Sequence, residues 1–328
     1  MKVFKSLVVM GLQKTFLQKN ILEMQNCVRL GKEHQVYKKW SFQEKLRKMQ
    51  NRNEIALVEC PRDAIQGMKE MISAEKKAIH INNLLKSNLF DCIDFGSFVS
   101  PQAIPQMADT KEVLDMIVLN DTKLLAIVVN ERGALEANSF DKITYLGYPF
   151  SISEEFQKRN TKSTIAASFE QLKKIVEISK EHAKIPVVYI SMAFGNPYGE
   201  IWSKELVFEW INKIAALGVD EFSLADTTGE ANQLQIKELF ETCIQKFPSI
   251  RIGAHFHSEK NSSLDKIKTA FEAGCRKFDG AFLGFGGCPF ANNDMVGNIP
   301  TEDLLRYFKR GSDRQILELQ TSFQNMIA

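Results

Sequence analysis

From Ile55 onward the sequence alternates short apolar runs with longer amphipathic stretches, and no other feature restricts the fold as much. Residues 55–59 read as a strand and 73–87 as a helix opened by Ser73. A second strand at 92–95 precedes a helix starting near Thr110. The run Leu124 to Val129 is continuous and β-rich, as a parallel strand covered on both faces is. A helix over 132–138, a strand over 143–146 and one long helical stretch over 153–184 follow. Pro186 to Ser191 is the fifth strand, and Ser203 caps a helix running to Leu217. Strands at 219–224, 250–257 and 277–282 then alternate with helices at 231–247, 263–273 and 301–308. The helix at 263–273 is stopped by Gly274.

Eight strand–helix units within about 250 residues match a (β/α)8 TIM barrel in size and order. A doubly wound open sheet would carry a glycine-rich phosphate loop after its first strand. The segment Pro61-Arg62-Asp63-Ala64-Ile65-Gln66 has no such loop, so the barrel is the expected fold over residues 54–328. Residues 1–53 stand apart. They are helical in pattern and carry a net charge of +9, against −7 for the remainder of the 328-residue chain. They read as a basic helical extension outside the catalytic fold. An organelle-targeting segment or a membrane-surface helix are the other readings of that composition.

The mildly acidic body argues against a nucleic-acid partner. No apolar run approaches the roughly 20 residues that span a bilayer. Six scattered cysteines without a CxxC pair suit a reducing compartment rather than a disulfide framework. The expected location is therefore the cytoplasm, or the mitochondrial matrix if residues 1–53 act as a targeting segment. A homodimer or other homo-oligomer is the expected assembly.

In a barrel of this kind functional groups sit where strands end and the following loops begin. Arg62, Asp63 and Gln66 follow strand one; Asp94 and Ser97 belong to strand two, Tyr189 to strand five, and Asp226 follows strand six. His255 and His257 close strand seven, and a loop Gly284-Phe285-Gly286-Gly287-Cys288-Pro289 with Asn298 follows strand eight. Residues at i and i+2 of a strand point to one face, so both imidazoles can reach one centre. With Asp63 they make a two-imidazole, one-carboxylate set suited to a divalent metal, to which Asn298 could add an amide oxygen. Such mixed ligands fit Mg²⁺ or Mn²⁺, with Zn²⁺ ranked behind. An isolated HxH pair can also be structural, Arg62–Asp63 a surface ion pair, and Cys288 a small core residue.

These segments resemble the 3-hydroxy-3-methylglutaryl-CoA lyase family. The resemblance is carried by Val58-Glu59-Cys60-Pro61-Arg62-Asp63-Ala64-Ile65-Gln66, Ser97-Phe98-Val99-Ser100-Pro101, Pro105 to Asp109, and Ser223-Leu224-Ala225-Asp226-Thr227-Thr228-Gly229. His255-Phe256-His257, the loop Gly286 to Ala291, and Gly297-Asn298 before Thr301-Glu302-Asp303 complete it. The cysteine loop is the specific part, because related synthases share the Arg-Asp and HxH elements but lack it.

The resemblance implies cleavage of 3-hydroxy-3-methylglutaryl-CoA to acetyl-CoA and acetoacetate. It implies metal binding by Asp63, His255, His257 and Asn298, enolate stabilisation by Arg62 and proton transfer by Cys288. An acyl-CoA substrate would be lined by Arg62, Gln66, Lys69, Asp94, Ser97, Ser153, Tyr189, Asp226 and Gly287. The sequence departs from the family pattern at Ser258, where an acid is usual, at Asp94, where the longer Glu is usual, and at Ala64 and Asn196, where Gly and Cys are common. Three other readings are open: a lyase or condensing enzyme of the same class acting on a different 3-hydroxyacyl thioester or 2-oxo acid, a non-catalytic acyl-CoA-binding barrel, and a two-His-one-Asp iron oxygenase.

Overall fold

The computed structural model describes residues 54–259, 262–287 and 296–328. The expected basic helical extension and Cys288 lie outside the described residues. Residues Ile55–Ala328 form one compact unit.

Eight parallel strands alternate with helices and close on themselves: β1 (Ala56–Glu59), β2 (Cys92–Ser97), β3 (Lys123–Ile127), β4 (Ile143–Ser151), β5 (Ile185–Ser191), β6 (Glu221–Asp226), β7 (Arg251–Ser258) and β8 (Lys277–Gly280). Each strand pairs with its sequence neighbour, and β1 pairs with β8, so the sheet has no open edge among these eight. This is the TIM barrel expected from the alternation of patterns. No described helix is long and apolar enough to cross a membrane.

Strand parity sorts the side chains into two cores. On β7, Ile252, Ala254 and Phe256 join the large layer between sheet and helices, as Phe222 and Leu224 of β6 do. A smaller cluster of Val58, Cys60, Cys92, Leu125, Ile127, Val187 and Tyr189 fills the barrel interior. Gly253 leaves room there for Lys277, whose side-chain carbons lie 2.9–3.2 Å from where a Gly253 Cβ would stand. Lys277 in turn reaches Ser223 Oγ at 3.2 Å.

The helices after β1 are α1 (Pro61–Ile65) and α2 (Ala74–Ser87); α3 (Thr110–Met116) follows β2 and α4 (Glu131–Asn138) follows β3. The stretch 153–184 is not one helix. It divides into α5 (Glu154–Thr161) and α6 (Ile165–Glu181) because Lys162 takes a left-handed conformation (φ 54°) and Thr164 starts a new helix by accepting Ala167 N–H. Next come α7 (Lys204–Ala215), α8 (Gln233–Lys246) and α9 (Ser263–Glu272). Strand β8 ends at Gly280, short of the expected Phe282, because Phe282–Gly284 turns into a 3₁₀ segment with Leu283 at φ 60°.

Beyond it lie β9 (Gly297–Asn298), α10 (Thr301–Tyr307) and α11 (Asp313–Ile327). The last helix has no counterpart in the sequence expectation. Its signals are a capping box, Ser312 with Gln315, and the buried row Ile316, Leu319, Phe323 and Met326. It packs on α2, where Ser322 Oγ meets His80 Nδ1 at 3.0 Å, and Phe323 also touches Phe285.

Candidate active site

The mouth of the barrel is built first by α1. Pro61 has no N–H to satisfy and fits the first helical turn, so the chain turns into a helix directly after β1. That single turn places Arg62, Asp63 and Gln66 together. Arg62 Nη1 donates to Asp63 Oδ1 (2.9 Å) and Gln66 Oε1 (3.0 Å), and Gln66 Nε2 donates to Asp63 Oδ1 (2.8 Å). From β2, Asp94 receives Arg62 Nε at 3.1 and 3.2 Å and also Nη2. A guanidinium has five N–H groups. Four are committed here, leaving one on Nη2 among the described residues.

Strand β7 supplies the imidazoles. His255 and His257 lie on the inward parity, their rings 5.3 Å apart, and both are buried. The ligand atoms of Asp63, His255 and His257 all lie within 4.8 Å of one another. Strand β9 then adds Asn298, because it runs antiparallel to β7 with His257 opposite Asn298 and Ser258 opposite Gly297. The Asn298 amide nitrogen donates to Asp63 Oδ2 (2.7 Å) and to the Phe285 carbonyl (2.9 Å). Its oxygen is left as the group able to face a cation. Gly286 is required at this point: a Cβ would lie 2.6 Å from Asn298 Nδ2 and 2.8 Å from the Asp63 carbonyl.

The electrostatics favour a bound cation. Burial alone would raise the Asp63 carboxyl, but Arg62, the two histidines and the Asn298 amide hold it down at about 2. Burial, reinforced by the neighbouring His255, lowers His257 to about 4, so its imidazole is neutral at physiological pH and free to ligate. Burial also acts to lower His255, yet Asp279 overrides it and the group is raised. A charged carboxylate, a neutral imidazole and an amide oxygen form a donor set that a divalent ion fits.

Asp279 adjoins this cluster and is a residue that sequence reasoning did not single out. It stands on β8 directly opposite His255, is fully buried, and meets His255 Nδ1 at 3.2 Å. That contact fixes which ring nitrogen of His255 is left for a ligand. The available signal was parity, since Asp279 is an acid two residues after Lys277 in a strand otherwise apolar. Support for the first histidine thus comes from the neighbouring strand, whereas Ser258 is buried with its hydroxyl unpartnered among the described residues.

The other sequence-derived positions differ in their surroundings. Tyr189 is inside the barrel at the same level, its ring edge-on to His255 at 5.4 Å and its hydroxyl without a hydrogen-bond partner among the described residues. Gly287, at φ 132°, continues the loop that covers Asn298. Ser97 is buried under the rim and accepts Val99 N–H, and Lys69 is exposed beyond α1. Ser153 caps α5 and also bonds to Glu200. Asp226 is on the helix-facing parity of β6 with Phe222 and Leu224, and pairs with Lys266 of α9 at 2.6 Å instead of joining the Asp63 cluster.

The HMGL-like family model matches residues 55–327. The chain is a member of the HMGL-like family. It is 31% identical over 245 residues to the hydroxymethylglutaryl-CoA lyase of Pseudomonas mevalonii, covering 75% of this chain and 81% of that one. The (R)-citramalyl-CoA lyase of Chloroflexus aurantiacus is 30% identical over 259 residues, covering 76% and 81%. Among solved structures, an HMG-CoA lyase from Acinetobacter baumannii in complex with coenzyme A and 3-methylmalate superposes with a TM-score of 0.77 at 30% identity. That match covers 84% of this chain and 92% of the other. This chain is therefore a lyase of the HMGL-like family, a divalent-metal-dependent family, and Asp63, His255 and His257 form its candidate metal site.

Proposed function

We propose that this lyase cleaves 3-hydroxy-3-methylglutaryl-CoA to acetyl-CoA and acetoacetate, and that Asp63, His255, His257 and Asn298 hold Mg²⁺ or Mn²⁺. The observation that carries the reading is the convergence of Asp63, His255 and His257 beside an arginine with one uncommitted N–H. Cleavage needs the proton of the tertiary hydroxyl removed, the adjacent C–C bond broken and the departing thioester enolate protonated on carbon. A bound divalent ion lowers the cost of negative charge on the substrate hydroxyl and carboxylate oxygens. Arg62, held in plane by Asp94 and Gln66, offers its remaining Nη2–H to the enolate oxygen. The Tyr189 hydroxyl, unpaired among the described residues, is a donor for a substrate oxygen. Cys288, carried by the glycine-rich loop, transfers the proton as the enolate collapses.

One observation favours a second acyl group of the same class. Asp94 is a methylene shorter than the Glu usual in the family and is drawn fully onto Arg62. The (R)-citramalyl-CoA lyase relative makes that thioester the competing substrate. Acetyl-CoA release from both thioesters, with and without Mg²⁺ or Mn²⁺, decides between them. Metal-dependent release from 3-hydroxy-3-methylglutaryl-CoA is the expected result. Preference for citramalyl-CoA would reassign the substrate, and no release from either would sink the lyase mechanism drawn above.

A further inference from the structure

Three elements meet behind His257, and a single buried side chain joins them. Lys266 of α9 is 5% exposed, and its Nζ lies 2.6 Å from Asp226 Oδ2, 2.6 Å from the Gly229 carbonyl and 2.9 Å from the His257 carbonyl. An ammonium group has three N–H donors, and all three are used. Asp226 is itself fixed, accepting the Ala231 backbone N–H at 3.2 Å. Gly229 (φ 72°) lies so close to the strand ends that a Cβ would stand 2.2 Å from Val296 Cγ1 and 3.3 Å from the His257 carbonyl oxygen. Val296 leads directly into Gly297-Asn298, the strand paired with His257.

We propose that Lys266 is a positioning residue for the cation site, holding the end of β7 so that the His257 imidazole meets Asp63 and His255. The inference rests on the reading of Asp63, His255 and His257 as a divalent-cation site. Asp226 anchors the ammonium from β6, and Gly229 closes the β6 loop over the same point. No other side chain among the described residues donates a hydrogen bond to the His257 carbonyl. Lys266 therefore acts through His257 and Asn298 and touches no reacting atom.

A simpler role is available: Lys266 could serve only to neutralise the buried Asp226. The two roles separate in a pair of variants. Lys266→Met removes the tie and leaves a buried carboxylate alone. Lys266→Met with Asp226→Asn removes the tie and the charge together, so its fold carries no unpaired acid. Mn²⁺ binding is measured by titration calorimetry on wild type and both variants, with thermal melting recorded beside it. Both variants are expected to bind Mn²⁺ about 10-fold or more weakly, the scale of losses found when a ligand's supporting contacts are removed. The double variant should melt nearer the wild-type temperature than Lys266→Met does. In Lys266→Met, where Asp226 is kept, the Mn²⁺ concentration needed for turnover should rise while KM for the thioester at saturating Mn²⁺ stays unchanged. Wild-type Mn²⁺ affinity in the double variant overturns the inference and leaves the cation site standing. A wild-type chain that binds no Mn²⁺ removes the cation site and this inference with it.

Discussion

The two halves of the site are held in different ways. The acid half is local: Arg62, Asp63 and Gln66 share one helical turn after β1 and bond to one another through side chains, with Asp94 joining from the next strand. The imidazole half is assembled from a distance. His255 depends on Asp279 across the sheet, and His257 on Lys266 and on Asn298 of β9. A local network keeps its geometry if its own turn is intact. A distributed one inherits the errors of every element it draws on.

The largest separation between the halves is expected at Arg62. Arg62→Lys replaces a planar fork by a point charge and loses the bonds to Asp94 and Gln66 together. We expect kcat to fall by about 10²–10³, the cost of removing an aligned donor to a developing oxyanion. Mn²⁺ affinity, measured on the same protein, should change much less. Equal losses in both would show that the halves cannot be separated.

Asp279→Asn probes the other half. The amide keeps the size of the carboxylate but removes the charge that faces and orients His255. Mn²⁺ binding should weaken by about 10–100-fold, with turnover largely regained at high Mn²⁺. Unaltered affinity would reduce Asp279 to a buried acid of the barrel interior.

A smaller effect concerns the ground beneath both halves. Glu59, at the end of β1, is fully buried; burial raises it to about 8, against the lowering effects of Thr301 and the Phe282 backbone N–H. The folded chain keeps this proton up to about pH 8, whereas the unfolded chain loses it above about pH 4.5. Its contribution is thus fully present below pH 4.5 and declines as pH rises toward 8. Glu59→Gln should flatten that slope in denaturant melts taken across the interval. An identical slope in the variant would assign the trend to another group. Smallest of all, removal of residues 1–53 should leave turnover unchanged, since both halves belong to Ile55–Ala328. A large loss would tie the basic segment to the catalytic unit.

The same contrast explains what the sequence makes legible. The order of strands and helices is readable because each element declares itself over a few residues, through apolar runs and caps such as Ser73, Ser153 and Ser203. The acid half is readable for the same reason. HxH on a strand end is readable as a pair because period two is a local property. Asp279 and Lys266 are not: each looks like an ordinary charged residue until the register of β7 against β8, or the seating of α9, brings it to a histidine. Asp226 shows the converse, since a polar residue at a strand end invites a reading toward the mouth. A one-residue difference in parity turns it to the helices. The break in 153–184 was written in Thr164, a capping residue inside an otherwise helical pattern.

The two-residue strand β9 has a consequence for where Asn298 is held. Asn298 is indexed by its ladder to His257, and Ile299 N–H extends that ladder to the Phe256 carbonyl at 3.2 Å. Its place is therefore set by pairing to β7 and not by the count of residues leading to it from Gly287. The seat of Asn298 beside Asp63 is in this sense a property of β7, to which it is laddered.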